Sequence, residues 1–144
     1  MRKILFRGKR VDNGEWIEGY LTRRPSPIQY GAHYSPWFID RPPSDPDDSG
    51  DYYNVDGATV GQYTGLTDKN GKKIFEGDIV STDITRPYLI VEFRDGCFMF
   101  NCNDGGDDYY DIMLPILKEP HTIYEYGEII GNIHDNPELL KGGE

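Results

Sequence analysis

Residues 64–80, TGLTDKNGKKIFEGDIV, place Gly65, Gly71, Lys72 and Lys73 in one polar run ahead of an apolar stretch. Glycine beside lysine can cradle phosphate, because bare backbone amides and an ammonium group converge on the anion. A phosphate-binding loop of that kind has four residues between its glycines, a hydroxyl after the lysine and a helix behind. Here five residues separate Gly65 from Gly71, Lys73 stands in the hydroxyl position, and IFEGDIV carries the pattern of a strand. The run is a corner. Asp68, Lys69, Asn70 and Gly71 make the turn, Ile74 and Phe75 anchor it, Gly77 bends the chain, and Asp78-Ile79-Val80 open the next strand.

A second candidate is the acidic stretch DPDDSGDYYNVD. Asp45, Asp47 and Ser49 fall at positions 1, 3 and 5 of a calcium loop, Gly50 at 6 and Asp56 at 12. Calcium takes several hard oxygens around a sharply turned backbone, which this spacing could supply. Against it, no helix pattern flanks the loop, Pro46 stiffens position 2, and Asp56 is shorter than the usual bidentate glutamate. An acidic surface loop is the simpler reading. Likewise NDGGDD (103–108) reads as a hairpin turn before it reads as a cation site.

Nucleophilic or acid–base catalysis needs a base in reach of a reacting group. His33, His121 and His134 are scattered and belong to no signature, and no carboxylate pair stands out from an acidic surface. No catalytic residue, metal ligand or cofactor is nominated, and a non-enzymatic protein is expected. Cys97 and Cys102, in CFMFNC, would lie about 16 Å apart on opposite faces of a strand, so they are expected as free thiols.

The net charge is −10, but it is unevenly distributed. Residues 1–24 hold seven basic and three acidic side chains, whereas 40–56 hold six Asp against Arg41 alone, and 101–111 hold four Asp and no base. Such polarity suits solubility, and also self-association or a charged partner. Arg2, Lys3, Arg7, Lys9 and Arg10 are the candidate phosphate contacts if nucleic acid binds, although the overall charge opposes it. Tyr30, Tyr34, Trp37 and Phe38 precede the acidic stretch and Tyr52 and Tyr53 follow it. Core packing ranks first for these rings, a protein interface second, and base stacking third.

The elements that must position these residues are strands. Gly and Pro make up 27 of 144 residues, which favours short elements and tight turns. KILFRGKRV and EWIEGYL flank Asn13-Gly14, a hairpin signal. IQYGAHYS, WFID, YYNV, ATVGQYTG, GDIVSTDI, PYLIVEFRD, CFMFNC, YYDIML and YEYGEIIGNI also alternate, with 41–51 read as a mobile acidic loop. HDNPELLKGG offers one helical turn, with Asp135 or Asn136 as its cap and Pro137 at its first position. The start, MRKILFRGKR, is not a signal peptide, and no apolar run reaches membrane-spanning length, so a cytoplasmic protein is expected.

RKILFRGKRVDNGEWIEGYL, VGQYTGLTDKNGKKIFEGDIV and YGEIIGNIHDNPELL together resemble the YopX family, small proteins encoded by bacteriophages and prophages. Residues 25–58 and 97–112 do not share in the resemblance. It implies a β-rich fold whose C-terminal part is a small SH3-like barrel, and it brings no activity and no catalytic residues.

The expected protein is mainly β, with an N-terminal β unit over 1–65, an SH3-like barrel over 66–144 and a short C-terminal helical turn. The expected function is that of a phage accessory protein in the host cytoplasm. It would act as a protein-interaction module for a host protein, a phage protein or itself, as a homo-oligomer. The alternative is a nucleic-acid accessory protein that binds through the basic N-terminal hairpin.

Overall fold

The computed structural model describes residues 3–24, 35–41, 51–81, 88–102, 109–112 and 127–140. The chain divides into two compact units, Met1–Gln62 and Tyr63–Glu144. The fold is mainly β, in two antiparallel sheets, as the alternating segments predict.

In the first unit β1 (Phe6–Lys9) and β2 (Trp16–Arg23) form the hairpin expected at Asn13-Gly14, with Arg7 opposite Glu18 and Lys9 opposite Trp16. β3 (Trp37–Arg41) pairs with β2, and β4 (Asp51–Asn54) pairs with β3, so the strand order is β4-β3-β2-β1. On the other edge of β1 lie Gly61 and Gln62, the first residues of β5 (Gly61–Thr67). The sheet curls: Val55, just after β4, bridges to Arg10, and Asp56 N–H donates to the Lys9 carbonyl at 2.9 Å. Ile39 and Val55 are fully buried inside the curl, with Gly8 packed on Val55. A single turn of 3-10 helix, Gly57–Thr59, interrupts the strand expected over 58–65. Asp56 caps it by accepting the Ala58 amide at 3.0 Å.

In the second unit β5 continues and pairs with β6 (Lys73–Phe75), Tyr63 opposite Phe75. A five-stranded sheet follows in the order β10-β9-β8-β7-β11. It comprises β7 (Asp78–Ser81), β8 (Leu89–Arg94), β9 (Cys97–Cys102), β10 (Tyr109–Ile112) and β11 (Glu128–Asn132). Its core is Ile74, Val80, Leu89, Val91, Phe98 and Phe100, with Leu66 and Ile129 against them. Each such side chain contributes about 1.5–3 kcal/mol on burial. Cys97 is a free thiol at one end of β9. The C-terminal helical turn is present as a 3-10 turn, Pro137–Leu140, with Leu139 N–H donating to the Asn136 carbonyl.

Among the described residues no sheet closes into the expected SH3-like barrel. Closure would need β11 to offer its outer edge to another strand, and the 68–72 turn takes that edge instead. Lys69 N–H donates to the Gly127 carbonyl at 3.0 Å, and Ile129 N–H donates to Asp68 Oδ2 at 3.1 Å. Asp68 Oδ1 accepts the amides of Asn70 and Lys72, both at 2.9 Å. Gly71 sits at φ 81°, in the left-handed region that favours glycine. Burial pushes the Asp68 carboxyl up, but the amides of Ile129, Lys72 and Asn70 and the Lys72 charge outweigh it, so the net direction is down.

The rest of the 64–80 run is equally structural. Asp78 is buried, and its Oδ2 accepts the Phe75 amide at 2.8 Å, locking the bend between β6 and β7. Gly77 holds φ 91° and joins two elements: its N–H donates to the Val91 carbonyl and its carbonyl accepts the Ile133 amide.

Candidate interaction surface

β2, β3 and β4 bring one row of side chains into register. Tyr20 stands opposite Asp40, and Asp40 opposite Tyr52, so a carboxylate lies between two tyrosines across three strands. With strands about 4.8 Å apart, the tyrosine Cα atoms are separated by about 10 Å. Tyr20 is 54% exposed and Tyr52 62%. Trp16 and Glu18 precede Tyr20 at two-residue steps, so they share its face, as do Arg7 and Lys9 through their pairing with β2.

Cations lie on rings throughout this sheet. The Arg7 guanidinium carbon is 4.6 Å from the Trp16 ring centroid and Lys9 Nζ 5.7 Å. Arg24 lies 4.3 Å from the Tyr52 centroid and 5.0 Å from Phe38, while its Nη2 reaches the Asp40 oxygens at 3.1 and 3.3 Å. Thr22 Oγ1 donates to the same carboxylate at 3.3 Å. On the other face, Arg10 and Arg41 flank Tyr53 at 4.4 and 5.6 Å and pair with Asp12 and Asp51. The Arg10–Asp12 hydrogen bond holds the Asp12 carboxyl below its ordinary range and the Arg10 guanidinium above its own.

The candidate residues of the sequence therefore separate. Of the basic set, Arg7 and Lys9 share one face, Arg10 turns to the other, and Lys3 is exposed ahead of β1. Arg2 lies outside the described residues. The aromatic cluster divides by strand alternation: Phe38 is buried, Trp37 packs against Gly57, Tyr52 is exposed and Tyr53 half-buried. Tyr30 and Tyr34 are outside the described residues. So are most of the calcium-loop candidates, namely Asp45, Asp47, Ser49 and Gly50. Asp56, which closes that pattern, caps the 3-10 turn. His33, His121 and residues 103–108 are also undescribed. His134 lies in the turn after β11, where its amide donates to Asn132 Oδ1 at 3.0 Å. Among the described residues no group of three or more His, Cys, Asp or Glu could hold a metal, and no helix is long and apolar enough to cross a membrane.

Sequence reasoning missed Arg24 and Tyr20. Period-two alternation could have placed Tyr20 on an outward face, but nothing local signals that Arg24 meets Asp40 and Tyr52.

Comparison with known proteins agrees with the architecture. A family model described as YopX protein matches residues 5–141. The crystal structure of protein EF1440 from Enterococcus faecalis is similar in fold, with a TM-score of 0.52 and 24% sequence identity. The match covers 97% of this chain and 99% of that one. No curated protein matches.

Proposed function

Because the chain belongs to the YopX protein family, we propose that it is a non-enzymatic, phage-encoded accessory protein. In this reading it binds another protein through the Tyr20–Asp40–Tyr52 face. The observation that carries the proposal is the pair of half-exposed tyrosines in register on either side of Asp40. Tyr, Trp and Arg are the residues enriched in protein interfaces, and rigid rings lose little conformational entropy on binding.

Nucleic acid takes second place. Arg7 and Lys9 lie over Trp16 while Arg10 pairs with Asp12 beside Tyr53, so the hairpin's cations divide between two faces of a protein with net charge −10. Backbone phosphates need several cations gathered on one surface.

The test is a tagged pull-down from host lysate, with and without nuclease, using the native chain and a Tyr20→Ala/Tyr52→Ala variant. One stoichiometric protein that survives nuclease and is lost with the variant supports the proposal. Retention that vanishes with nuclease favours nucleic acid, and retention unchanged in the variant moves the interface off this face.

A further inference from the structure

Asparagine followed by glycine carries a reaction of its own. The glycine nitrogen, unshielded by any Cβ and permissive in its backbone angles, attacks the carbonyl carbon of the asparagine side chain. An N–Cγ bond forms and the Cγ–Nδ2 bond breaks. Ammonia leaves with a proton that balances the one base removed from the glycine amide. Water then opens the five-membered succinimide at either carbonyl, giving aspartate or isoaspartate. Only Asn13 and Asn70 precede glycine in this chain; every other asparagine precedes a residue with a Cβ. Both are exposed. Both glycine amides are also engaged, Gly14 N–H donating to the Arg10 carbonyl at 2.9 Å and Gly71 N–H to the Asp68 carbonyl at 3.0 Å. What separates the two sites is the rest of each turn.

Asn70 is held at the points that ring closure must move. Its N–H donates to Asp68 Oδ1 at 2.9 Å and its Nδ2 to Glu128 Oε1 at 3.4 Å. The neighbouring residues are fixed as well: Lys69 N–H donates to the Gly127 carbonyl at 3.0 Å and Lys72 N–H to Asp68 Oδ1 at 2.9 Å. Swinging the Asn70–Gly71 peptide toward the side chain therefore pulls on β11 as well as on the turn. Asn13 has no such tie. Residues 11–15 are all exposed, and the Asn13 side chain makes one hydrogen bond, its Oδ1 accepting the Glu15 amide at 2.9 Å within the loop. That bond draws electron density from Cγ and leaves Nδ2, the departing group, without a partner among the described residues. A methyl group built on Gly14 would meet nothing within 4 Å, so the loop has room to move.

We infer that Asn13 is a site of spontaneous deamidation in the folded chain, and that the fold protects the same dipeptide at Asn70. The product adds a negative charge to a chain already at −10, next to the Arg10–Asp12 ion pair. This inference is independent of the interaction-surface reading.

The experiment incubates the full chain in mildly alkaline buffer, folded and in guanidinium chloride, and follows the amide-to-acid mass increase at each site by peptide mapping. In the folded chain Asn13 is expected to convert, and Asn70 about tenfold more slowly or less, because closing its ring breaks further hydrogen bonds. In denaturant both sites should convert and their rates should converge. Equal rates in the folded chain, or a faster rate at Asn70, would overturn the inference. So would an Asn13 that stays intact in the folded chain while converting in denaturant. A gap between the sites that persists unchanged in denaturant would overturn protection by the fold.

Discussion

The Asp68 carboxylate accepts the amide of Ile129 at 3.1 Å, joining residues 61 positions apart. Its other oxygen holds the turn that presents it, through Asn70 and Lys72. One side chain therefore fixes a local corner and a distant strand, both in segments that carry the family resemblance. In the corner that looked like a phosphate loop, the Asn70 and Lys72 amides go to its own aspartate and the Lys69 amide to the Gly127 carbonyl.

Asp68→Ala leaves three amides in a nearly buried setting without their acceptor. Each orphaned donor costs about 1–3 kcal/mol, less where water reaches it. A loss of about 2–4 kcal/mol is expected in urea unfolding, with a smaller loss for Asp68→Asn, which retains one acceptor oxygen. Equal stability of the alanine variant and the native chain would refute this role.

The same carboxylate gives acid sensitivity a direction. Its folded pKa lies below the ordinary value of 3.8, so its ionised form is favoured by folding. The stability it contributes is present above about pH 4 and is lost as pH falls through the lower folded value. The urea midpoint of the native chain should therefore fall more steeply below pH 4 than that of Asp68→Asn. Parallel acid profiles would assign the acid sensitivity elsewhere.

Gly131→Ala tests the end of β11. A methyl group there would meet Asn136, whose Cγ lies 2.7 Å from the position it would take. Asn136 Oδ1 accepts the Asn132 amide at 3.2 Å, so its displacement also loosens that hydrogen bond. Overpacking of this kind costs about 1–3 kcal/mol. A thermal melt unchanged by the substitution would mean that the 132–136 turn yields freely.

Arg24→Ala and Ile39→Ala should differ sharply. Arg24 and Asp40 are more than a third exposed, and pairs of that kind stabilise by less than about 1 kcal/mol. Ile39 is fully buried, and its truncation should cost about 2–5 kcal/mol. Chemical denaturation of both variants checks the contrast. A large loss with Arg24→Ala would make the Arg24–Asp40–Tyr52 cluster a structural element rather than a surface.

Local chemistry made several elements legible. Asn13-Gly14, the Asp68–Gly71 turn and the terminal turn at Pro137 each depend on residues within a few positions of one another. The alternating segments marked β3, β8, β9 and β11 for the same reason. What the sequence could not supply was the partner across the sheet. Asp68 reads as a turn residue until Ile129 is placed beside it, and Tyr20, Asp40 and Tyr52 become a row only through strand register. The strand pattern of IFEGDIV was legible, but not its division at the Gly77 bend into β6, Lys73–Phe75, and β7, Asp78–Ser81. Among the described residues no sheet closes into a barrel, and at β11 a side chain and a turn take backbone groups that another strand could have used.

An unpaired strand edge is a template on which a second molecule can add its own strand. At β11 the carbonyl of Gly127 and the amide of Ile129 already have partners in the 68–72 turn. The turn that orders this part of the chain thus also shields it, removing one nucleus for strand-to-strand aggregation while the protein is folded.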